Sequence, residues 1–311
     1  MIDRITGGSP VMLIVMLALM WSASISAAAN PPVEFRRAYY DGAVGQVHFL
    51  IARPTDPSRE THAPLVLSHP TAQSGDYLRL FMAQMATDRV VLAPDTPGYG
   101  GSDSPPGDVS IDEYAAMLAP AIRRALADLG QGRADLGGNH TGAFISAALA
   151  LHAPDITRRV LLSAVPYWPP GEERDRLLDS IGRDRPLPES LDGLAEPWKY
   201  HVAQRNPAVS LERAFSFFVA QLRSEPHHAR AFRAVFSWPA ETALPKLRQP
   251  VGVLNIAGSL DAQTRAAAAL IPSVRLIEVS GFTTGAWDVG AEALAAHARV
   301  LLDEELDARS E

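Results

Sequence analysis

Apolar and polar positions alternate in two stretches near the start of the chain, 34–40 (EFRRAYY) and 46–52 (QVHFLIA), and Asp41-Gly42 through Gly45 separates them. Period-two alternation broken by a glycine-bearing turn predicts an antiparallel hairpin. Further along, the alternation gives way to short runs that are apolar throughout: 64–68 (PLVLS), 89–93 (RVVLA), 159–164 (RVLLSA), 250–256 (PVGVLNI) and 274–279 (VRLIEV). Such runs predict strands buried on both faces, as in a parallel sheet. Helix-period segments fall between them, at 75–87, 110–129 and 289–302. Ser110 stands three residues ahead of Glu113, the spacing of a capping box, and Gly130 supplies the stop. Strands alternating with helices predict an α/β fold with a mostly parallel sheet. From Pro166 to Pro245 the pattern changes: strand-like runs stop, and prolines, helix-period segments and large aromatics dominate. This stretch is expected as a helical insertion.

The segment 134–146 (ADLGGNHTGAFIS) reads as a short strand, a sharp turn and a helix. The turn is Gly138-Asn139-His140-Thr141-Gly142. Small residues two before and two after the central position are what a tight strand-to-helix elbow requires, because the backbones there nearly touch. His140 occupies the centre, and histidine is among the non-glycine residues that tolerate positive φ.

This spacing resembles the G-x-nucleophile-x-G elbow of the α/β-hydrolases. A second stretch, PDTPGYGGSDSP, resembles that family's D-x-P-G-x-G-x-S loop through Asp95, Pro97, Gly98, Gly100 and Ser102. The resemblance spans 34–302. It also resembles a branch whose elbow reads G-x-H-T-G. It implies an α/β-hydrolase fold: a mostly parallel sheet with an N-terminal antiparallel hairpin, helices on both faces and a helical cap. The domain boundaries that follow are core 30–165, cap 166–245 and core 246–305, with a polar tail at 306–311.

A working member of the family has an elbow nucleophile, an acid after the strand at 250–256 and a histidine after the last strand. Here the elbow holds His140. Gly258-Ser259-Leu260-Asp261 matches the family's G-x-x-D, so Asp261 is the candidate acid, although an N-cap carboxylate would look the same. Where the family has its histidine the chain reads Thr283-Thr284-Gly285, and His297 lies too far along to substitute. A hydroxyl is no general base near neutral pH, so the ordinary serine-hydrolase mechanism is not available. His140 could serve as a general base, as a nitrogen nucleophile or as a hydrogen-bonding floor for a ligand, or the elbow could persist for folding alone. The resemblance places the oxyanion-binding amides at Thr71, after His69-Pro70, and at Thr141. It makes Gly138, Gly142 and Asp95 structural, Asp95 by tying down its loop. His69, Trp168, Thr284 and Trp287 are candidate pocket residues. Local spacing points to no metal, and no cofactor is expected.

Composition narrows the setting. The chain has 311 residues, 47% of them hydrophobic, enough for one large α/β domain with an insertion. The net charge is −7 and no basic run stands out, so a nucleic-acid partner is not expected. There is no cysteine, which excludes disulfides, thiolate nucleophiles and cysteine metal sites. Residues 11–21 (VMLIVMLALMW) followed by SASISAAAN predict a leader at 1–29, cleaved after Ala28 or Ala29 for export, with an uncleaved membrane anchor as the alternative. No stable membrane association is expected after cleavage. The functional expectation is an exported hydrolase acting on a small, mostly apolar ester, amide or related bond. Two alternatives are a non-catalytic protein that binds an apolar ligand in the same cleft and, more weakly, a lyase or isomerase with His140 as proton shuttle.

Overall fold

A computed structural model describes residues 32–304 other than 185, 225 and 283. The expected leader and polar tail lie outside the described residues. Eight strands form one sheet in the order β1-β2-β4-β3-β5-β6-β7-β8: β1 (Val33–Asp41), β2 (Gln46–Pro54), β3 (Leu65–Ser68), β4 (Val91–Pro94), β5 (Ala134–Asn139), β6 (Thr157–Ser163), β7 (Val251–Ile256) and β8 (Val274–Val279). The alternating stretches pair as the predicted hairpin, with Val33 opposite Pro54 and Asp41 opposite Gln46. β2 pairs antiparallel with β4, and every later pairing is parallel. The mostly parallel sheet with an antiparallel N-terminal hairpin is the fold class the sequence predicts.

The apolar runs are continuous because both faces of the sheet are covered. On β3, Val66 joins one core cluster while Leu65 and Leu67 join the other. Period-two alternation therefore persists in direction though not in polarity. One face is covered by α2 (Ile111–Asp128) and α3 (Thr141–His152), the other by α1 (Arg79–Met85) and α8 (Ala291–Asp303). The capping box of α2 forms: the Ser110 hydroxyl accepts from the Glu113 amide at 3.2 Å, and the Glu113 carboxylate accepts from the Ser110 amide at 2.7 Å. Two expected helices are shorter than their periodicity suggests. The one at 75–87 opens with a 3₁₀ turn, Gly75–Leu78, before α1 begins. The one at 289–302 is split at Gly290 into a single turn, Ala286–Val289, and α8.

Between β6 and β7 every regular element among the described residues is helical. The longest are α4 (Glu172–Ile181), α5 (Leu211–Ser224) and α6 (Arg230–Ser237). This insertion is clasped to the rest of the chain by Arg213 of α5. Its guanidinium donates to Asp288 at 2.9 Å, to the Asp76 carboxylate at 2.9 Å, and to the carbonyls of Asp76 and Tyr77.

Candidate functional site

The strand β5 ends in the predicted elbow. His140 has φ 56° and ψ −122°, outside the regions open to an unstrained L-residue. Such a conformation costs on the order of 1–3 kcal/mol and persists only where the surroundings over-determine it. They do so through two glycines. A Cβ on Gly138 would lie 2.0 Å from the Gly142 carbonyl oxygen, and one on Gly142 would lie 2.1 Å from the Ser68 carbonyl oxygen. The turn thus presses against both itself and the end of β3, and no side chain fits at either place.

His140 stands at the floor of a cavity of about 810 Å3 between the sheet's loops and the helical insertion. Its ring is half-buried and meets the Phe232 ring of α6 edge to face, with centroids 6.3 Å apart. Its one hydrogen-bond contact among the described residues is Nδ1 to the Thr141 hydroxyl, a long 3.4 Å. No carboxylate faces the ring. Burial alone acts on its protonation and lowers its pKa to about 4, so the imidazole is neutral across the physiological range.

Beside it, the hydroxyls of Thr71 and Thr141 are hydrogen-bonded to each other and join the β3–α1 loop to the first turn of α3. Neither residue's amide donates to an acceptor among the described residues. Thr71 borders the cavity. Two undonated amides flanking a helix N-terminus suit a developing oxyanion.

The other expected site residues separate. Asp95 is buried and ties its loop down. It accepts from the amides of Gly75 at 2.7 Å and Gly101 at 2.8 Å and from His48 Nδ1 at 2.8 Å. Burial opposes its charge, and the bond from His48 leads the interactions that outweigh it and hold the carboxyl below its ordinary range. Thr284 borders the cavity. His69, expected at the pocket, instead lies beneath it, 1% exposed. Its Nδ1 bonds the Pro70 carbonyl at 2.8 Å and its Nε2 accepts from the Thr96 amide at 2.9 Å, which assigns the neutral Nδ1–H tautomer. Trp168 packs on Phe236 and Trp287 on Phe81, both away from the cavity wall.

Asp261 begins α7 (Asp261–Ala268) after β7, where the sequence places it. Its carboxylate accepts from Asn255 Nδ2 at 2.6 Å and pairs with Arg265 at 2.5 Å. The bond from Asn255, then Arg265, keeps its pKa below the ordinary value. Both Asn255 and Arg265 also bind Glu278 of β8. Asp261 makes no contact with His140 and does not border the cavity.

The cavity also recruits residues that periodicity does not single out. Asp288 borders it with its side chain 6% exposed. Burial raises its pKa while Arg213 opposes the rise. His201 and Gln221 are paired at 2.6 Å across the insertion, and His228 also borders the cavity. Among the described residues Arg205 is the remaining charged residue of the wall. Asp288 was within reach of sequence reasoning, since it lies one turn beyond Thr284 on the loop where the family keeps its histidine. Arg205 carried no comparable signal. Among the described residues no group of three or more His, Asp or Glu side chains is placed to hold a metal ion.

Comparison with known proteins agrees with this fold. A family model described as alpha/beta hydrolase fold matches residues 25–185. Haloalkane dehalogenase 2 of Mycobacterium tuberculosis is 24% identical over 227 residues, covering 70% of this chain and 72% of that protein. The 2-hydroxymuconate semialdehyde hydrolase of Pseudomonas sp. (strain CF600) is 31% identical over 147 residues, 44% of this chain and 42% of its own. Among solved structures, a hydrolase from Pseudomonas aeruginosa PA01 superposes with a TM-score of 0.67 at 19% identity, covering 86% of this chain and 99% of that one, a likeness of fold.

Proposed function

The chain belongs to the α/β-hydrolase fold family, and from that premise we propose that it is a hydrolase whose His140 activates water against a small ester, amide or related bond. The observation that carries this reading is the strained elbow itself. A conformation costing on the order of 1–3 kcal/mol holds a neutral imidazole at the floor of a cavity, beside two amides with no other acceptor.

The steps follow from the groups present. The substrate carbonyl oxygen takes the place between the Thr71 and Thr141 amides. A water between the carbonyl carbon and the His140 ring gives up a proton to the imidazole as its oxygen bonds to carbon. The carbonyl π electrons move to the oxygen, which the two amides then hold. In the resting state burial disfavours a positive charge on the ring, and that is why its pKa is low. In the intermediate the oxyanion itself is the counter-charge, so the imidazolium is stabilised when the reaction requires it. Collapse expels the leaving group with the proton from His140. Phe217, Phe232, Ile181 and Val209 border the cavity and suit an apolar substrate body. With the leader read at 1–29, the reaction takes place after export.

Thr284 in the place of the family's histidine, and Asp261 engaged with Arg265, favour a second reading in which the cavity binds an apolar ligand without turning it over. A screen of esters, lactones and amides on the wild type and His140→Ala decides between them. Turnover that His140→Ala abolishes, in a folded protein that still binds product, supports catalysis. Turnover that survives the substitution removes His140 from the mechanism.

A further inference from the structure

Among the described residues, Arg205 and Asp288 are the only Asp, Glu, Lys or Arg side chains on the cavity wall, and they are not equivalent. The charge of Asp288 is met by Arg213 at 2.9 Å. The charge of Arg205 is met by no carboxylate among the described residues. Two of its five N–H groups are spent on backbone: Nη1 donates to the Val202 carbonyl at 3.0 Å and Nε to the Val209 carbonyl at 3.1 Å. These two bonds fix the guanidinium at both ends of the turn that follows the π-helical stretch Lys199–Ala203. Nη2 has no acceptor among the described residues.

The described neighbours do not supply the missing negative charge. The Oε1 of Gln221 is taken by His201 Nε2, which leaves the Gln221 amide hydrogens as what that side chain can offer. His201 itself is kept neutral, burial lowering its pKa against the opposing bond to Gln221. The Asn206 amide is committed to the Thr284 carbonyl at 2.9 Å. No anionic group among the described residues on this side of the cavity therefore faces the pinned cation.

We infer that Arg205 is a specificity residue that binds a carboxylate carried by the substrate, so that the ligand is a monoanionic acid with an apolar body and a hydrolysable bond set apart from its carboxylate. A planar guanidinium with a free edge matches a planar carboxylate. The aromatic and aliphatic residues between Arg205 and the elbow take the apolar body. The inference rests on the reading of this cavity as the hydrolytic site, but the charge preference is measurable without turnover.

The probes are 4-phenylbutyrate and its uncharged counterpart 4-phenylbutanamide, titrated by calorimetry at neutral pH into the full chain. The acid binds more tightly than the amide by about tenfold or more, the scale of a hydrogen bond to a charged group. Arg205→Gln abolishes the preference by weakening the acid alone. Arg205→Lys, which keeps the charge and so guards against a merely local loss of structure, retains part of it. Equal binding of acid and amide, a preference that survives Arg205→Gln, or no saturable binding of the acid at millimolar concentration would each overturn the inference. The same titration on His140→Ala keeps the two readings apart. Anion preference without ester turnover in the wild type overturns the hydrolytic reading alone, whereas turnover indifferent to substrate charge and to Arg205 overturns this one.

Discussion

Thr71 and Thr141 are hydrogen-bonded to each other through their hydroxyls, seventy positions apart in sequence, and that bond stitches the loop after β3 to the first turn of the elbow helix. Both side chains are buried, so water is a poor substitute partner for either hydroxyl. Thr71→Val removes one hydroxyl at nearly constant shape and leaves the other poorly satisfied. The expected cost is roughly 1–3 kcal/mol, read as a lower urea midpoint at unchanged slope. Thr71→Ser keeps the hydroxyl and recovers most of the loss. Equal stability of Thr71→Val and wild type would show that the pair contributes nothing.

The pH dependence of His140 follows from burial. Its pKa is lowered from 6.5 to about 4, so the ring stays unprotonated in the folded protein until well into acid. With His140 as the base, kcat/KM on any substrate rises through a limb near pH 4 and is flat through the ordinary imidazole range. Stability runs the same way. The unfolded chain takes up a proton near 6.5 while the folded ring resists it, so this contribution is whole above 6.5 and is lost as pH falls toward 4. His140→Ala removes that part of the acid sensitivity. A kinetic limb at 6 to 7 that disappears in His140→Ala would show the ring to be far better solvated than its burial implies.

Active-site serine reagents have no target here. Among the described residues Ser180 is the one serine on the cavity wall, and its hydroxyl is donated to the Leu177 carbonyl at 3.2 Å. A fluorophosphonate probe therefore leaves the wild type unlabelled by intact mass. Stoichiometric labelling of a serine would place the chemistry elsewhere.

Arg213 holds the insertion on the sheet through Asp288 and Asp76. Arg213→Ala leaves the nearly buried Asp288 carboxylate without its partner, an expected loss of about 3 kcal/mol at neutral pH. Burial already raises the Asp288 pKa, and removing Arg213 raises it further. A carboxyl with a raised folded pKa is best tolerated when protonated, so the deficit grows as pH rises through that pKa and shrinks on acidification. Thermal melts of Arg213→Ala and the double variant Arg213→Ala/Asp288→Asn test this. The second change recovers stability at neutral pH if the unpaired charge is the cause.

The elbow glycines admit no substitute. Gly142→Ala puts a methyl 2.1 Å from the Ser68 carbonyl oxygen, backbone against backbone, so β3 and α3 must separate. The variant is expected to be insoluble or to melt far below wild type, whereas Gly107→Ala, with open space at the site, melts normally.

What the sequence determined by itself is what depends on neighbours in the chain. Alternation and apolar runs specify strands and their burial, because side-chain direction has period two whatever the fold. The spacing Gly138-x-His140-x-Gly142 specifies the elbow, because the close approach it permits is set within five residues and the strand before them. The loop of Asp95, Gly98 and Gly100 was legible for the same reason. The cavity was not, because its wall comes from loops after β3 and β8 and from an insertion whose helices have no periodic tie to the sheet. Asp261 shows the boundary most sharply. Its place after β7 follows from the chain, but its side chain is claimed by Arg265 one turn on and by Asn255, both also bound to Glu278 on the neighbouring strand, and only the folded register brings that strand alongside. The place of Arg205 is likewise a tertiary property: an arginine among many becomes distinctive only when the fold sets it on the cavity wall with no carboxylate against it among the described residues.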